Sequence, residues 1–397
     1  MKIRYFDHAA TTAVKEEVLK EMLPYFGIEY GNASSLYSIG RMAKKGMEQA
    51  RQRVAKALNA DVKEIYFTSC GSESDNLALK GICYANQEKG KHIITTKIEH
   101  PAILQTCQTL ERQGYEVTYL PVDEEGMISL EQLENAIKDT TILVSVMFAN
   151  NEIGTIQPIY EIGQITKKHN ILFHTDSVQA IGNVPIDVKK LGIDLLSMSA
   201  HKFYGPKGVG ALYVKEGVNF ERIQDGGHQE KNKRSGTENV AGIVGLGKAI
   251  ELAYQDFENY NQRLLQLRDY YISQIEEKIP YAKLNGHRIK RLPGNANFSF
   301  PFVEGEELLL RLDARGICAS TGSACSSGSP APSHVLLSIG LTSHMSQGTL
   351  RITIGDENTV EDIIYLVENL KEIIEKLRKE NPEYRAFQEQ QDRQENV

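Results

Sequence analysis

The sequence predicts an α/β protein in which a mostly parallel sheet, covered by helices on both faces, is followed by a smaller α+β domain. From about residue 60 to 215, short apolar runs alternate with longer amphipathic stretches, a pattern typical of strand–helix–strand units. After about residue 240 the pattern changes to a long, charged helical stretch. The 397 residues correspond to two or three units of roughly 150 residues, which is enough for both parts.

The apolar runs of the first part predict the seven strands of the sheet. They are residues 65–67, 92–95, 116–119, 141–147, 171–174, 195–198 and 210–214. The segments between them have helical spacing, as Leu130, Leu133 and Ala136 illustrate. The glycine-spaced segment 205–210 is expected to form a turn that leads into the last strand.

The second part contains fewer elements. Residues 251–279 are predicted to form one long helical stretch, and residues 297–300 and 350–354 two short strands. Thr359 is a suitable N-cap for the last helix, because an acidic residue follows three positions later and an apolar stripe comes after it. Beyond Pro382 the chain is polar, so we expect a loose end there, with a docking segment as the alternative.

Composition and charge argue against several classes of protein. Lys and Arg number 45 against 52 for Asp and Glu, and the net charge of −7 without a long basic run argues against nucleic-acid binding. No apolar run approaches the roughly 18 residues of a membrane span. The N-terminus lacks the apolar stretch of a signal peptide, so a cytoplasmic protein is expected. The five cysteines include no C-x-x-C pair and the histidines no H-E-x-x-H pattern, so we expect reduced thiols and no bound metal.

A lysine and an aspartate follow two neighbouring strands of the predicted sheet. Lys202 comes just past the strand at 195–198, and Asp176 ends the run that begins at residue 171. Because the carboxyl ends of strands in an open α/β sheet share one ligand crevice, both side chains should face the same site. Pyridoxal phosphate (PLP) requires a lysine for its aldehyde and an acid that keeps its pyridine nitrogen protonated. Each residue alone also fits a simpler interpretation, a surface lysine and a helix N-cap.

A phosphate site is predicted where the first strand ends. Residues 68–76 (TSCGSESDN) open a predicted helix, and backbone N–H groups at a helix N-terminus bind phosphate. An ordinary turn is the alternative. A second glycine-rich segment, residues 242–248 (GIVGLGK), has P-loop spacing, but Ala249 follows it and supplies no hydroxyl, so we interpret it as close helix packing. The sequence has no G-x-G-x-x-G motif, which removes the main support for a dinucleotide-binding oxidoreductase.

Cys325 lies in a run of Ser, Gly and Pro, residues 320–333 (STGSACSSGSPAPS). This composition predicts an exposed thiol, which a structural cysteine generally is not. An incidental loop thiol is the alternative. For Cys83, Cys107 and Cys318, which have apolar or mixed neighbours, we expect simple packing.

Taken together, these segments resemble the cysteine desulfurases, class-V PLP-dependent enzymes of the aminotransferase fold type I. The similarity runs nearly end to end, over several motifs in the same order. They are residues 7–12 (DHAATT), 69–76 (SCGSESDN), 96–100 (TKIEH), 150–154 (NNEIG), 176–179 (DSVQ), 199–202 (SAHK), 234–239 (RSGTEN) and the loop around Cys325. The resemblance implies a large PLP-binding domain at 14–260, and a small domain formed by 1–13 and 261–397 that carries the cysteine loop.

The resemblance also assigns roles to site residues. It implies that Lys202 forms the Schiff base with PLP, that Asp176 pairs with the pyridine nitrogen, and that Gln179 donates a hydrogen bond to the ring oxygen. His100 would stack on the ring and shuttle protons. The other cofactor contacts that it implies are Gly71, Ser72, Asn151, Ser199, His201 and, from the second subunit of a homodimer, Thr237. The substrate contacts that it implies are Asn32, Asn151 and Arg351.

The reaction implied by the resemblance converts L-cysteine to L-alanine and leaves a persulfide on Cys325. Lys202 would remove the α-proton, and His100 would accept the proton of the Cys325 thiol. The sulfur would pass to an acceptor protein, such as a scaffold for iron–sulfur cluster assembly, or serve tRNA thiolation. The alternatives are a selenocysteine lyase or another class-V aminotransferase that does not use Cys325, and a protein that keeps the fold without turnover.

Overall fold

The computed structural model describes residues 2–321 and 332–395. The strands are β1 (Arg4–Tyr5), β2 (Ile65–Thr68), β3 (His92–Thr96), β4 (Glu116–Leu120), β5 (Thr141–Ser145), β6 (Leu172–Asp176), β7 (Leu195–Ser199), β8 (Gly210–Val214), β9 (Lys283–Asn285), β10 (Asn295–Ser299), β11 (Ile317–Cys318) and β12 (Thr349–Thr353). The helices are α1 (Glu16–Met22), α2 (Pro24–Gly27), α3 (Ser38–Leu58), α4 (Gly71–Asn86), α5 (Pro101–Arg112), α6 (Leu130–Ala136), α7 (Ile159–Lys168), α8 (Val188–Leu191), α9 (Gln229–Asn232), α10 (Val240–Gln255), α11 (Phe257–Lys278), α12 (Gly305–Asp313), α13 (His334–Ser338), α14 (Ser343–Gln347), α15 (Val360–Glu380) and α16 (Pro382–Glu395).

The described residues form a seven-stranded sheet with the order β2-β8-β7-β6-β5-β3-β4. Strands β4, β3, β5, β6 and β7 pair in parallel, and β8 runs antiparallel to both of its neighbours. The reversal follows from the connection, because residues 200–209 join β7 to β8 without the crossover helix that parallel neighbours need. The predicted α/β class with a mostly parallel seven-stranded sheet is confirmed.

The side chains of the central strands alternate between two hydrophobic cores, one on each face of the sheet. Leu195 packs in one core and Leu196 in the other, and Leu143 and Val144 divide in the same way. This follows from the two-residue period of a strand. Because both faces are covered by helices, these strands are nearly continuous apolar runs, and this made them visible in the sequence.

A third core lies around the small antiparallel sheet β12-β10-β9. Helices α11, α12 and α15 pack near this sheet, and β1 pairs in parallel with β11, so the first residues of the chain join its last third. The predicted cap of α15 is confirmed, because Thr359 accepts from the backbone N–H of Asp362. The predicted domain boundaries at 13/14 and 260/261 stay a prediction, and α11 runs through the second of them.

Two predictions about the second part are wrong. The helical stretch at 251–279 is two helices, because Asp256 leaves the helical region with φ −125° and ψ 42°. The end beyond Pro382 is helix α16, which packs on the chain instead of lying loose. The ring of Phe387 lies 5.3 Å from the ring of Phe302, and the ring of Tyr384 lies 5.4 Å from it. In the described parts of the chain, no helix has the length and apolarity to span a membrane.

Candidate active site

A cavity of about 210 Å³ lies at the carboxyl ends of β6 and β7. This is the edge of an α/β sheet where ligands bind. Ten of the residues predicted for the site line it: Gly71, Ser72, His100, Asn151, Asp176, Gln179, Ser199, His201, Lys202 and Arg351. They come from segments spread over about 280 residues of chain and meet at this cavity.

Lys202 occupies a short 3-10 turn, Ala200–Lys202, directly after β7. Its Nζ donates hydrogen bonds to the carbonyl oxygens of Ala9, at 2.6 Å, and Ala10, at 2.8 Å. The side chain of Gln179 donates to the same oxygen of Ala9 at 3.0 Å. The N-terminal segment therefore holds the amine in the cavity.

Asp176 is the last residue of β6, and its side chain is buried. One carboxylate oxygen accepts from the backbone N–H of Val178 at 2.9 Å. Burial raises the pKa of this carboxyl, and the nearby His100 and Lys202 oppose the rise. A cationic N–H group brought to Asp176 would favour its ionised form further.

A second carboxyl, that of Asp75 on α4, lies beside Asp176. Polar atoms of Asp75, His100 and Asp176 all lie within 4.8 Å of one another. Oδ1 of Asp75 has no hydrogen-bond partner among the described residues, although the side chain is fully buried. Burial, and then the proximity of Asp176, raises the pKa of Asp75 well above its usual range. Because the two carboxyls are buried close together, ionisation of one disfavours ionisation of the other.

The predicted phosphate site is the N-terminus of α4, which starts at Gly71 directly after the turn that follows β2. A Cβ on Gly71 would lie 2.7 Å from Cγ2 of Val178, so the glycine lets the start of the helix pack close to that side chain. The turn is held by Glu73, which accepts from the backbone N–H of Ser69 at 2.8 Å and pairs with Arg234 at 2.7 Å. The backbone N–H groups at the start of α4 are therefore held in place at the edge of the cavity.

His201 and Ser199 lie beside this helix N-terminus on the wall of the cavity. Nδ1 of His201 lies 3.1 Å from Oγ1 of Thr11. Burial, followed by the neighbouring Lys202, lowers the pKa of His201 to about 4. The ring is therefore neutral near pH 7, and it can offer an anion a hydrogen bond but not a full charge.

His100 is the N-cap of α5, and Nδ1 of its ring accepts the backbone N–H of Ala102 at 3.1 Å. Burial lowers the pKa of this ring. In the neutral ring the proton then belongs on Nε2. His100 therefore offers the cavity an N–H donor at Nε2.

Arg351 of β12 enters the cavity from the small sheet and is 1% exposed. Its Nη2 pairs with Oδ1 of Asp7 at 2.7 Å, and its Nη1 donates to the carbonyl oxygen of Asn151 at 3.1 Å. Nε has no hydrogen-bond partner within residues 2–321 and 332–395. The guanidinium is a buried cation with a donor to spare, which is what binds a carboxylate.

Three predicted site residues do not line this cavity in the described structure. Thr237 lines a separate cavity together with Ser69 and Arg234. Asn32 lies in an exposed loop, where its side chain accepts from the backbone N–H of Ser34 at 2.9 Å. Cys325 lies outside the described residues.

Both described ends of the segment that contains Cys325 are attached beside the cavity. Before it, the backbone of Ser320 pairs with that of Arg351. After it, Nε2 of His334 lies 2.9 Å from the carbonyl oxygen of Glu99, the neighbour of His100.

Several residues of the site were not found from the sequence. Asp7, Ala9 and Ala10 were recognised only as part of a motif, and Asp75 only as part of the phosphate turn. Their roles depend on contacts with distant parts of the chain; the Asp7–Arg351 pair, for example, spans 344 positions. The acidic residue in DHAATT was the one available signal.

Comparison with known proteins decides the family. Residues 4–366 match the family described as Aminotransferase class-V. The chain belongs to this family. Class-V aminotransferases of the cysteine desulfurase type depend on PLP. The predicted resemblance is therefore confirmed.

Relatives of this class-V chain carry the name cysteine desulfurase. This chain is 61% identical to cysteine desulfurase IscS of Clostridium botulinum, over 95% of this chain and 96% of that protein. It is 57% identical to cysteine desulfurase IscS of Methanosarcina thermophila, over 97% and 96% of the two chains. Among solved structures, a NifS-like protein from Rickettsia africae superimposes with a TM-score of 0.86 at 32% identity, covering 94% of this chain and 99% of that one. SspA, solved in complex with cysteine, has a TM-score of 0.79 at 37% identity, covering 90% and 100%.

The residues of the cavity fit PLP. The start of α4 offers N–H groups to a phosphate, Asp176 offers a carboxylate to a pyridine nitrogen, and Lys202 offers a primary amine. Oδ1 of the buried Asp75 carboxyl accepts no hydrogen bond from the described residues and lies 3.8 Å from Nε2 of His174, so an apolar ligand beside it would leave it unsatisfied. These groups together match a cofactor that carries a phosphate, a pyridine ring and an aldehyde.

Proposed function

We propose that this protein is a cysteine desulfurase, which removes the sulfur of L-cysteine, releases L-alanine and holds the sulfur as a persulfide on Cys325. The observation that carries the proposal is the convergence of Lys202, Asp176, His100 and Arg351 on one cavity. The relatives named cysteine desulfurase and the structural neighbour SspA, solved with cysteine, support the same substrate.

PLP, when bound, supplies an electron sink for the bonding pair at the substrate's Cα. Lys202 would hold its aldehyde carbon, Asp176 would pair with its ring nitrogen, Gln179 would donate to its ring oxygen, and His100 would contact its ring. The groups proposed to hold its phosphate are Gly71, Ser72, Ser199 and His201, with Thr237 from a second subunit. The side-chain amide of Asn151 is proposed to contact both cofactor and substrate.

Arg351 is proposed to bind the substrate carboxylate with Nε as the available donor, with help from Asn151 and Asn32. This places the amino group and Cα of the substrate toward Lys202, because both residues line the same cavity. Lys202 then takes the α-proton onto Nζ, where the carbonyl oxygens of Ala9 and Ala10 accept from the resulting ammonium. The N-terminal segment thus stabilises the protonated base.

Cys325 is proposed to act as the thiolate nucleophile. Its sulfur attacks the substrate sulfur, so an S–S bond forms while the Cβ–S bond breaks, and the electron pair of that bond stays with the carbon. Protonation of Cβ, and return of a proton from the Lys202 ammonium to Cα, give L-alanine, and the sulfur remains on Cys325 as a persulfide. His100, with its Nε2 proton, is positioned to donate rather than to accept a proton at the start of the reaction.

The proposal includes a homodimer in the cytoplasm that passes its sulfur to an acceptor protein, such as an iron–sulfur scaffold. The position of Thr237 in a cavity separate from that of Lys202 supports a role in trans. Mixing Lys202→Ala and Thr237→Ala subunits tests the dimer, because a mixed dimer contains one intact site. Regained activity supports it, and a mixture as inactive as its components contradicts it.

The test of the function is a comparison of wild type, Cys325→Ala and Cys318→Ala, loaded with PLP and given L-cysteine with a reductant. We expect wild type and Cys318→Ala to release alanine and sulfide one for one, and Cys325→Ala to release neither while retaining its cofactor. A Cys325→Ala variant that keeps the rate contradicts the persulfide. Inactivity of all three proteins contradicts the desulfurase function itself.

A further inference from the structure

Arg351 and Asp7 form an ion pair at the wall of the active-site cavity. Nη2 of Arg351 and Oδ1 of Asp7 are 2.7 Å apart, and the side chains are 1% and 15% exposed. A buried guanidinium needs a counter-ion, since an unpaired charge in such a place is strongly destabilising. Asp7 meets this need before any substrate binds.

Asp7 is fixed in place by its own backbone. Its carbonyl oxygen accepts from the backbone N–H of Ala10 at 2.9 Å and from the hydroxyl of Tyr5 at 3.0 Å. Its backbone also bridges in parallel to Thr353, two residues beyond Arg351 on the same strand. Because the backbone is held on both sides, Asp7 stays beside the guanidinium when a carboxylate arrives.

A carboxylate at Arg351 is therefore bound by a cation whose charge is already partly neutralised. Nε is the donor that remains for it in the described structure, because Nε has no hydrogen-bond partner whereas Nη1 already donates to the carbonyl oxygen of Asn151. The fixed negative charge of Asp7 repels a second carboxylate nearby, and in a buried site this repulsion is larger than in water.

We propose that Asp7 is a positioning residue that acts through Arg351 to limit the affinity of the site for amino-acid carboxylates. The inference rests on the proposed function, because it takes Arg351 as the carboxylate ligand. L-Cysteine and L-alanine carry the same carboxylate, so a tighter hold by Arg351 would retain substrate and product alike. Asp7 keeps that shared affinity low and so allows L-alanine to leave.

The experiment measures the affinity of the PLP-loaded protein for L-alanine by calorimetry, with ethylamine as the probe that lacks a carboxylate. Asp7→Asn removes the charge but keeps an oxygen that can accept from Nη2. We expect it to bind L-alanine on the order of tenfold more tightly, with the affinity for ethylamine unchanged. In turnover, its KM for L-cysteine and its kcat should both fall. Glu372→Gln, which removes a surface partner of Arg315, is the matched control and should change neither.

An Asp7→Asn variant that binds L-alanine as wild type does, or more weakly, overturns the proposal. Asp7→Ser, with the same loss of charge in a smaller side chain, is measured in parallel in case the first variant folds poorly. Thermal unfolding adds a second readout, because L-alanine should raise the Tm of the uncharged variants more than that of wild type. Arg351→Gln separates the two hypotheses: if it binds L-alanine as tightly as wild type does, the proposed carboxylate site is wrong, whatever Asp7 does.

Discussion

The amine of Lys202 donates a 2.6 Å hydrogen bond to the carbonyl oxygen of Ala9, a residue 193 positions earlier in the chain. The contact joins the turn after β7 to the N-terminal segment that follows β1. A second hydrogen bond from the same amine, to the carbonyl oxygen of Ala10 at 2.8 Å, fixes the end of the side chain from the same segment. The N-terminal segment therefore positions the amine within the cavity.

Replacing Lys202 should abolish turnover. We expect Lys202→Ala to lower the rate of alanine formation from L-cysteine by at least about a thousandfold, because the proton acceptor is missing. Lys202→Arg should be equally inactive, since a guanidinium does not give up its proton. Lys207→Ala, in the exposed turn just beyond, is the control and should retain the wild-type rate. Activity in Lys202→Arg would contradict a base role for the residue.

The two neighbouring carboxyls should respond differently to amide substitution. Asp176→Asn is expected to weaken PLP binding and to lower kcat by about a hundredfold, because it removes the charge that pairs with the ring nitrogen. Burial, and then the proximity of Asp176, raises the pKa of Asp75 well above its usual range, which favours its neutral form. Asp75→Asn imitates this neutral form and should keep most of the activity. Cofactor titration and steady-state kinetics measure both effects, and equal losses in the two variants would contradict the assignment.

The elements that were predicted correctly are those whose apolar pattern can be recognised within a short stretch of sequence. The strands of the large sheet are apolar runs, and Asp176 and Lys202 follow directly from where β6 and β7 end. The break of the helical stretch at Asp256 was missed, because its non-helical backbone angles leave no mark on the apolar spacing. Helix α16 was missed for a different reason: Phe387 is one aromatic residue in a polar segment, and its partner Phe302 is distant in sequence.

Only the site residues that belong to recognisable motifs could be predicted from the sequence. The positions of His100 and Gly71 followed from the resemblance, whereas the pairing of Arg351 with Asp7 requires the fold to join the first strand to the last third of the chain. The proton location on His100 also needed coordinates, because it depends on the backbone N–H of Ala102. Contacts of this kind leave no periodic signal in a single sequence.

Glu99 should make the protein less stable as the pH rises. Its carboxyl is 1% exposed, and burial raises its pKa to about 8. The folded state therefore binds more protons than the unfolded state between about pH 4.5 and 8, and the free energy of unfolding falls as the pH rises through that range. The upper limit of this loss is about 5 kcal/mol.

Substitution by glutamine tests this dependence. Glu99→Gln keeps an oxygen for the Thr96 hydroxyl and the Met147 N–H, which Glu99 accepts at 2.8 and 2.9 Å. We expect the Tm of the variant to fall less than that of wild type between pH 5 and 8, and to exceed it at pH 8. The exposed Glu258→Gln should follow wild type throughout. Parallel curves for Glu99→Gln and wild type would contradict the raised pKa.

Gly247 should be required for the packing of α10 against α3. A Cβ at this position would lie 2.5 Å from both Cα and Cβ of Ala50, and the backbone of α3 cannot move aside without disturbing its own contacts. We expect Gly247→Ala to destabilise the protein by about 1–3 kcal/mol in urea unfolding, despite the better helix propensity of alanine. Gly27→Ala is the matched control, because a Cβ there meets nothing within 4 Å, and its stability should stay within about 0.5 kcal/mol of wild type. Equal stability of the two variants would mean that α10 and α3 can separate to admit a methyl group, and that the glycines of residues 242–248 do not set the distance between these helices.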